Sequence, residues 1–345
     1  MDDDLRALEQ ALQQDPGDAE LWGRYVAALV RSGDLRGLLE RRRWEQLPSA
    51  SRRAVADGLC ERLGAEFELV GLEAHAGGPE LAVFRHAPSG VRFALIPAGS
   101  FLMGLSEDDE EALRDVIREE ARPWYEDDLS EEDFAAMDEA EMGESGYVLQ
   151  SAAAMRPTRE VQIAPFLLAR SPLTIAQART WVPEADVDYR PGGPIVSTLG
   201  VRLDEGQLER ALAGSGWRLP SEAEWEYSAR AGAKTLTPWG PERPRESRLL
   251  WEFDEDQPLE RNRFGLAGVG SYLERCADAW HPSYADAPTD ETPWRGEGPP
   301  VHRGGAIDCS PWQGCGEWAL LLPMTRQGGA SALGAALRPA MDLPV

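Results

Sequence analysis

Apolar residues recur at helical spacing through the first sixty positions. Leu5, Leu8 and Leu12 form one set, and Leu21, Tyr25 and Leu29 form a second. Spacings of three and four place such residues on one face of a helix, so residues 3–64 are predicted to be helical. Asp15-Pro16-Gly17-Asp18 and Ser32-Gly33-Asp34 break the pattern as turns. From Phe67 the texture changes to short apolar runs over 67–72, 81–84 and 91–96. Turn residues, including His86-Ala87-Pro88-Ser89-Gly90, separate them. That alternation predicts β-hairpins.

One later stretch is more specific than its pattern. Gly216-Trp217-Arg218-Leu219-Pro220-Ser221-Glu222-Ala223-Glu224-Trp225-Glu226-Tyr227-Ser228-Ala229-Arg230 reads as a strand end, a turn and a capped helix. Pro220 suits the boundary where a new helix starts. Ser221 is a candidate N-cap, with Glu224 three residues on completing a capping box. Trp225 and Ala229 lie one turn apart, with Ala223 nearby, which predicts an amphipathic helix with one apolar face.

The string R-L-P-S-E-A-E-W-E-Y-x-A-R resembles the signature of the formylglycine-generating-enzyme (sulfatase-modifying factor) family, where it is structural. Further landmarks follow the family order. Residues 93–104 resemble its opening strand with G-x-F-x-M-G. Residues 156–166 and 171–174 resemble a strand leading to a P-V-T turn. Thr237-Pro238-Trp239-Gly240 resembles its P-W-G turn, and Asn262-Arg263-Phe264-Gly265-Leu266 its N-x-F-G-L motif. A loop over 284–294, the 302–306 turn (R-G-G-S in the family) and the 338–344 strand complete the set. The resemblance covers roughly residues 67–345. It implies an α+β domain of C-type-lectin-like, formylglycine-generating-enzyme type with little regular secondary structure. A small helical module, residues 1–66, precedes it. Within that module residues 11–39 resemble a single tetratricopeptide-like hairpin, with no second copy to make an array.

Charge changes the picture in one place. The net charge of −25 argues against a nucleic-acid backbone or an anionic membrane as partner, since both need a basic surface. Residues 106–145 carry 18 Asp/Glu against three Arg, which accounts for about 15 of those charges. Such a block reads as a solvated helical insertion. Trp124, Tyr125 and Phe134 within it favour some ordering, and a second reading is an interaction segment for a basic protein or a lid. The start of the chain has no apolar signal-like stretch, and no run reaches transmembrane length. Four cysteines (Cys60, Cys276, Cys309, Cys315) in 345 residues do not make a disulfide framework. The expectation is a cytoplasmic, reduced protein. A basic set that is almost all Arg, with abundant Ala, Gly and Leu, points to a bacterial source.

The family's oxidase members hold copper(I) between two cysteines in a C-x4-C arrangement after R-G-G-S. Two soft thiolates suit Cu(I). Here Cys309 and Cys315 are the candidate catalytic and copper-binding pair, but with C-x5-C spacing. Ala306 stands where the family has serine, and a largely apolar run over 317–323, without positive charge, replaces its Arg-rich strand. The family's calcium loop has its counterpart over 265–275. Ser271 and Glu274 are the candidate calcium ligands there, with Asp278 shortly after, while the loop aspartate is replaced by Gly268. Calcium needs six to eight oxygens, so the competing reading makes Glu274 a structural cap. His75, His86, His281 and His302 include no i, i+4 pair, and no G-x-S-x-G elbow occurs.

Two functions follow. The first is a non-catalytic member acting as a binding or regulatory module in a bacterial assembly, with a protein partner docked through the acidic insertion or the helical module. The alternative is a copper-dependent oxidase converting a peptide cysteine to formylglycine.

Overall fold

The computed structural model describes residues 2–122, 125, 128–137, 153–185, 202–234, 261–269, 273–304, 326–328 and 335–344. The predicted N-terminal helices form. Helices α1 (Asp2–Gln14) and α2 (Ala19–Ser32) make a hairpin that starts earlier than residue 11. Asp18 caps α2 by accepting from the Glu20 and Leu21 N–H groups at 2.9 and 3.0 Å. Gly33 ends it in the left-handed region, its N–H donating to Leu29. Trp22, Tyr25 and Val26 fill the hairpin's inner face.

Helices α3 (Arg41–Gln46) and α4 (Ser49–Leu63) tie this hairpin to the sheets. Trp44 is fully buried on α3, and its indole N–H donates to the Glu80 carbonyl at 2.7 Å. Leu39 and Arg41 exchange backbone hydrogen bonds with Ala98 at 2.8 Å. The apolar core consequently runs without a break from Leu12 and Trp22 to Phe93 and Trp225.

Five strands, β1 (Phe67–Glu73), β2 (Leu81–His86), β3 (Arg92–Ile96), β6 (Phe166–Ala169) and β12 (Ala340–Asp342), form one antiparallel sheet in the order β1-β2-β3-β6-β12. The predicted hairpin boundaries hold to within two residues. Strands β4 (Gly99–Met103) and β5 (Arg159–Ile163) pair separately. A second sheet has the order β10-β9-β8-β11-β7, from β7 (Arg202–Leu203), β8 (Glu274–Ala279), β9 (Pro300–Arg303), β10 (Arg326–Gly328) and β11 (Ala335–Ala336). Helix α9 (Glu222–Arg230), which comes after the short α7 (Ile175–Ala178) and α8 (Glu205–Ser215), packs between the β4–β5 pair and strands β8 and β9 of the second sheet. The architecture is α+β.

The described part of the acidic stretch forms α5 (Glu107–Ala121) and α6 (Glu131–Ala136). Ser106 and Asp109 make a capping box at the start of α5, where four acidic residues suit the positive end of the helix dipole. Glu110, nearly buried, accepts from Arg114 and Arg156, both at 2.7 Å, and Glu107 accepts from Arg156 at 2.6 Å. Those bonds fasten α5 to the stretch leading into β5. Among the described residues no helix is long and apolar enough to cross a membrane.

Candidate functional site

Helix α9 starts as its sequence dictates. The Ser221 hydroxyl accepts from the Glu224 N–H at 3.1 Å, and a Glu224 oxygen accepts from the Ser221 N–H at 2.8 Å. Arg218 then clamps both Glu224 oxygens at 2.7 Å. Asp342 adds a third carboxylate oxygen, so Arg218 is held firmly protonated. The expectation of one apolar face is corrected. Every residue from Glu222 to Ala229 is buried. Periodicity assigns glutamates to solvent, but here arginines from distant segments neutralise them inside.

Glu222 shows how. One of its oxygens accepts from the Tyr284 hydroxyl at 2.6 Å, Arg303 at 2.9 Å and Arg326 at 2.7 Å. Burial pulls its pKa upward, but Arg326 and Arg303 outweigh that and hold the carboxyl below the usual range. Glu226 takes the second fork of Arg303 at 3.0 Å, and its other oxygen accepts from Arg230 and the Gly104 N–H, both at 2.9 Å. Arg303 also lies over the Trp225 ring, and Arg326 over Trp280 and Tyr284. Asp278 caps the helix end of the cluster, accepting from the Glu222 and Trp294 N–H groups at 2.7 Å. Burial first, and the Glu222 charge second, raise its pKa to about 7. Arg159 completes the wall, stacked on Tyr284 with one nitrogen donating to Met103 sulfur at 3.2 Å. Its Nε and Nη1 have no hydrogen-bond partner among the described residues.

This cluster has a topological consequence. In the β9–β10 pair Arg303 stands opposite Arg326, so the two guanidiniums on Glu222 also mark the two ends of the connection over 305–325. Cys309 and Cys315 belong to that connection. They and Ala306 lie outside the described residues, as do Ser271 and the 237–240 turn. Glu274 is described and fully buried. Arg338 grips both its oxygens at 2.7 Å, and the Trp225 indole N–H donates to one of them at 2.7 Å. Among the described residues no group of three His, Cys, Asp or Glu is placed to share a metal ion.

Sequence reasoning found Ser221, Glu224 and Glu274 but missed Glu222, Glu226, Tyr284, Arg303 and Arg326 as a unit. It read the run over 317–323 as removing positive charge from this part of the chain, whereas Arg326, just beyond, restores it in the interior. The available signal was four arginines (Arg218, Arg303, Arg326, Arg338) in apolar surroundings, which require buried carboxylates.

A family model described as "Sulfatase-modifying factor enzyme 1-like domain" matches residues 193–312. The formylglycine-generating enzyme of Streptomyces coelicolor is 32% identical over 147 residues. Over that stretch, about a third of its length, the chain is similar to the formylglycine-generating-enzyme family. The alignment takes in 36% of this chain and 45% of the Streptomyces enzyme, less than half its length. PvdO from Pseudomonas aeruginosa shares the fold at 21% identity and a TM-score of 0.51, over 76% of this chain and 98% of PvdO.

Proposed function

We propose that this formylglycine-generating-enzyme-like chain is a non-catalytic binding module that uses the fold to present segments to another protein in a bacterial assembly. One observation carries the reading. The carboxylates that α9 and β8 bring inside (Glu222, Glu224, Glu226 and Glu274) are each committed to an arginine. The charged interior thus fastens chain segments together. Glu274 in particular is read as the partner of Arg338 and not as a calcium ligand, because a cation there would have to displace a bidentate guanidinium. The C-x5-C spacing of Cys309 and Cys315 and the alanine at 306 point the same way. The acidic helix α5 and the α1–α2 hairpin are the surfaces offered to a partner, a basic one in the case of α5.

The copper-dependent oxidase is the second reading. It is favoured by the likeness to the Streptomyces formylglycine-generating enzyme and by the position of both cysteines in one connection closed by Arg303 and Arg326. Copper(I) titration of the reduced protein, against a Cys309→Ser, Cys315→Ser double variant, separates the two. The binding-module reading expects no difference between them. Tight one-to-one binding lost in the variant would overturn it, and peptide-cysteine oxidation would be assayed next.

A further inference from the structure

A second concentration of guanidinium groups lies away from α9, on the sheet that holds β2, β3 and β6. Arg85 and Arg92 stand directly opposite each other in the β2–β3 register. Opposed residues have Cβ atoms about 5 Å apart, so like charges there repel unless they are neutralised. Arg170 follows β6, and its N–H donates to the Arg92 carbonyl at 2.9 Å, which places it on the strand beside Arg92. The turn beginning at Arg261 adds a further positive group. A backbone bridge to Ala267 fixes Arg261, and the Ala267 N–H donates to the Arg170 carbonyl at 2.7 Å. Arg170 Nε and Arg261 Nη1 both donate to the Gly265 carbonyl, at 3.2 and 3.1 Å. Two guanidiniums therefore converge on one neutral oxygen.

The counter-charges do not balance this set. Glu68 accepts from Arg85 at 2.7 Å. Glu73 accepts from Arg170 at 2.8 Å, and Arg170 also donates to His75 at 2.8 Å. Burial holds His75 below its ordinary pKa, and Arg170 acts in the same direction, so it brings no compensation. Arg92 and Arg261 have no carboxylate partner among the described residues. Burial, and then the nearby Arg170 charge, lower Arg261 to about 10; the Glu73 charge opposes that shift in part, and Arg92 adds to the repulsion. An unpaired, half-buried cation is costly. In a chain of net charge −25 it is also out of keeping with the whole.

We propose that Arg92, Arg170 and Arg261 form a site for a phosphate-type dianion, free or as the phosphoryl group of a larger molecule. Among the described residues Arg85, Arg92, Arg170 and Arg261 face only the Glu68 and Glu73 carboxylates, an excess that matches a dianion better than chloride or a single carboxylate. The planar fork of each guanidinium fits adjacent oxyanion oxygens. Arg170, held by Glu73 and by Gly265, is a rigid wall for them.

The test is thermal unfolding of the full chain at fixed ionic strength with sodium chloride, inorganic phosphate or phenyl phosphate. A saturable rise in midpoint with phosphate, absent with chloride, is expected. Arg92→Gln and Arg261→Gln should each weaken the apparent affinity by about tenfold or more, the loss expected for one charge-assisted contact. Arg53→Gln, at an exposed residue paired with Asp57, should leave it unchanged. Arg92 is exposed, so its variant folds even where Arg261→Gln does not. Tighter binding of phenyl phosphate than of phosphate assigns the site to a phosphoryl group on a larger molecule; equal or weaker binding assigns it to the free ion. A midpoint that responds equally to chloride, or a phosphate response that survives Arg92→Gln, would overturn the assignment.

Discussion

Glu222→Gln removes the charge that two fully buried arginines share. The side chain keeps its volume and one acceptor oxygen, so the change is electrostatic and not a cavity. Arg303 retains Glu226 at 3.0 Å, and Arg326 keeps the Ala154 and His281 carbonyls, which are neutral. Breaking a buried ion pair by removing one partner costs about 3–5 kcal/mol, because the surviving charge stays buried. The entropy of unfolding is about 2.1 cal/mol/K per residue, which for 345 residues gives roughly 0.7 kcal/mol/K. The unfolding midpoint should therefore fall by about 4–7 °C, measured by differential scanning fluorimetry and circular dichroism. Arg326→Gln should cost a similar amount. The double variant should cost less than the sum, by about 0.5–3 kcal/mol, since the second change removes a charge already stranded by the first. A fall under about 1 °C, or strict additivity of the two changes, would refute the view that this cluster holds α9 to the second sheet.

Stability should also depend on pH through Asp278. Its pKa is raised to about 7, so the folded state binds that proton more tightly than the unfolded chain. Its stabilisation is complete at acid pH, below the unfolded aspartate value, and is lost as pH rises through 7. His75 and His86, lowered by burial, act in the opposite sense near pH 6. The comparison with Asp278→Asn isolates the aspartate: wild type should lose stability relative to the variant from pH 5 to 7.5, and a constant difference would remove the assignment. Gly265→Ala should lower the unfolding free energy by about 1–3 kcal/mol, read as a fall in the denaturant midpoint. Its φ is 76° and an added Cβ would sit 2.8 Å from the His75 ring, so an unchanged midpoint would contradict the turn geometry. Glu110→Ala frees Arg156 and Arg114, and limited proteolysis within α5 should quicken by roughly tenfold, as for a local loss of between one and two kcal/mol. Cleavage of α5 at the same rate in both proteins would mean that Glu110 does not fasten it.

Much of the scaffold was legible because local chemistry decides it. Asp18, Ser106 and Ser221 cap helices with their own side chains, and the hairpin turns announce themselves through Gly and Pro. The motif at 262–266 was recognisable, though its cause was not. Asn262 is buried, accepts from the Phe264 and Leu266 N–H groups at 3.0 Å, and donates to the Ser228 and Ala229 carbonyls. It thus ties the turn to the end of α9. Ion pairs between residues 77 or 104 positions apart, such as Arg303–Glu226 and Arg326–Glu222, leave no trace in a window of eighteen residues. For the same reason α9 read as a surface helix. The candidate thiols Cys309 and Cys315 are visible in sequence by spacing alone, and spacing does not say what holds their connection in place.

The pairing of Arg303 with Arg326 separates two kinds of inheritance. The segment from 305 to 325 leaves and re-enters the core at two adjacent strand positions that are themselves locked on Glu222. The entropy of closing a connection grows only as the logarithm of its length, about 0.6 kcal/mol for each doubling. One residue gained or lost there, such as the one that turns C-x4-C into C-x5-C, is then almost invisible to folding. A lineage built on this scaffold can lose, alter or regain chemistry in that connection by small insertions while selection on stability acts elsewhere.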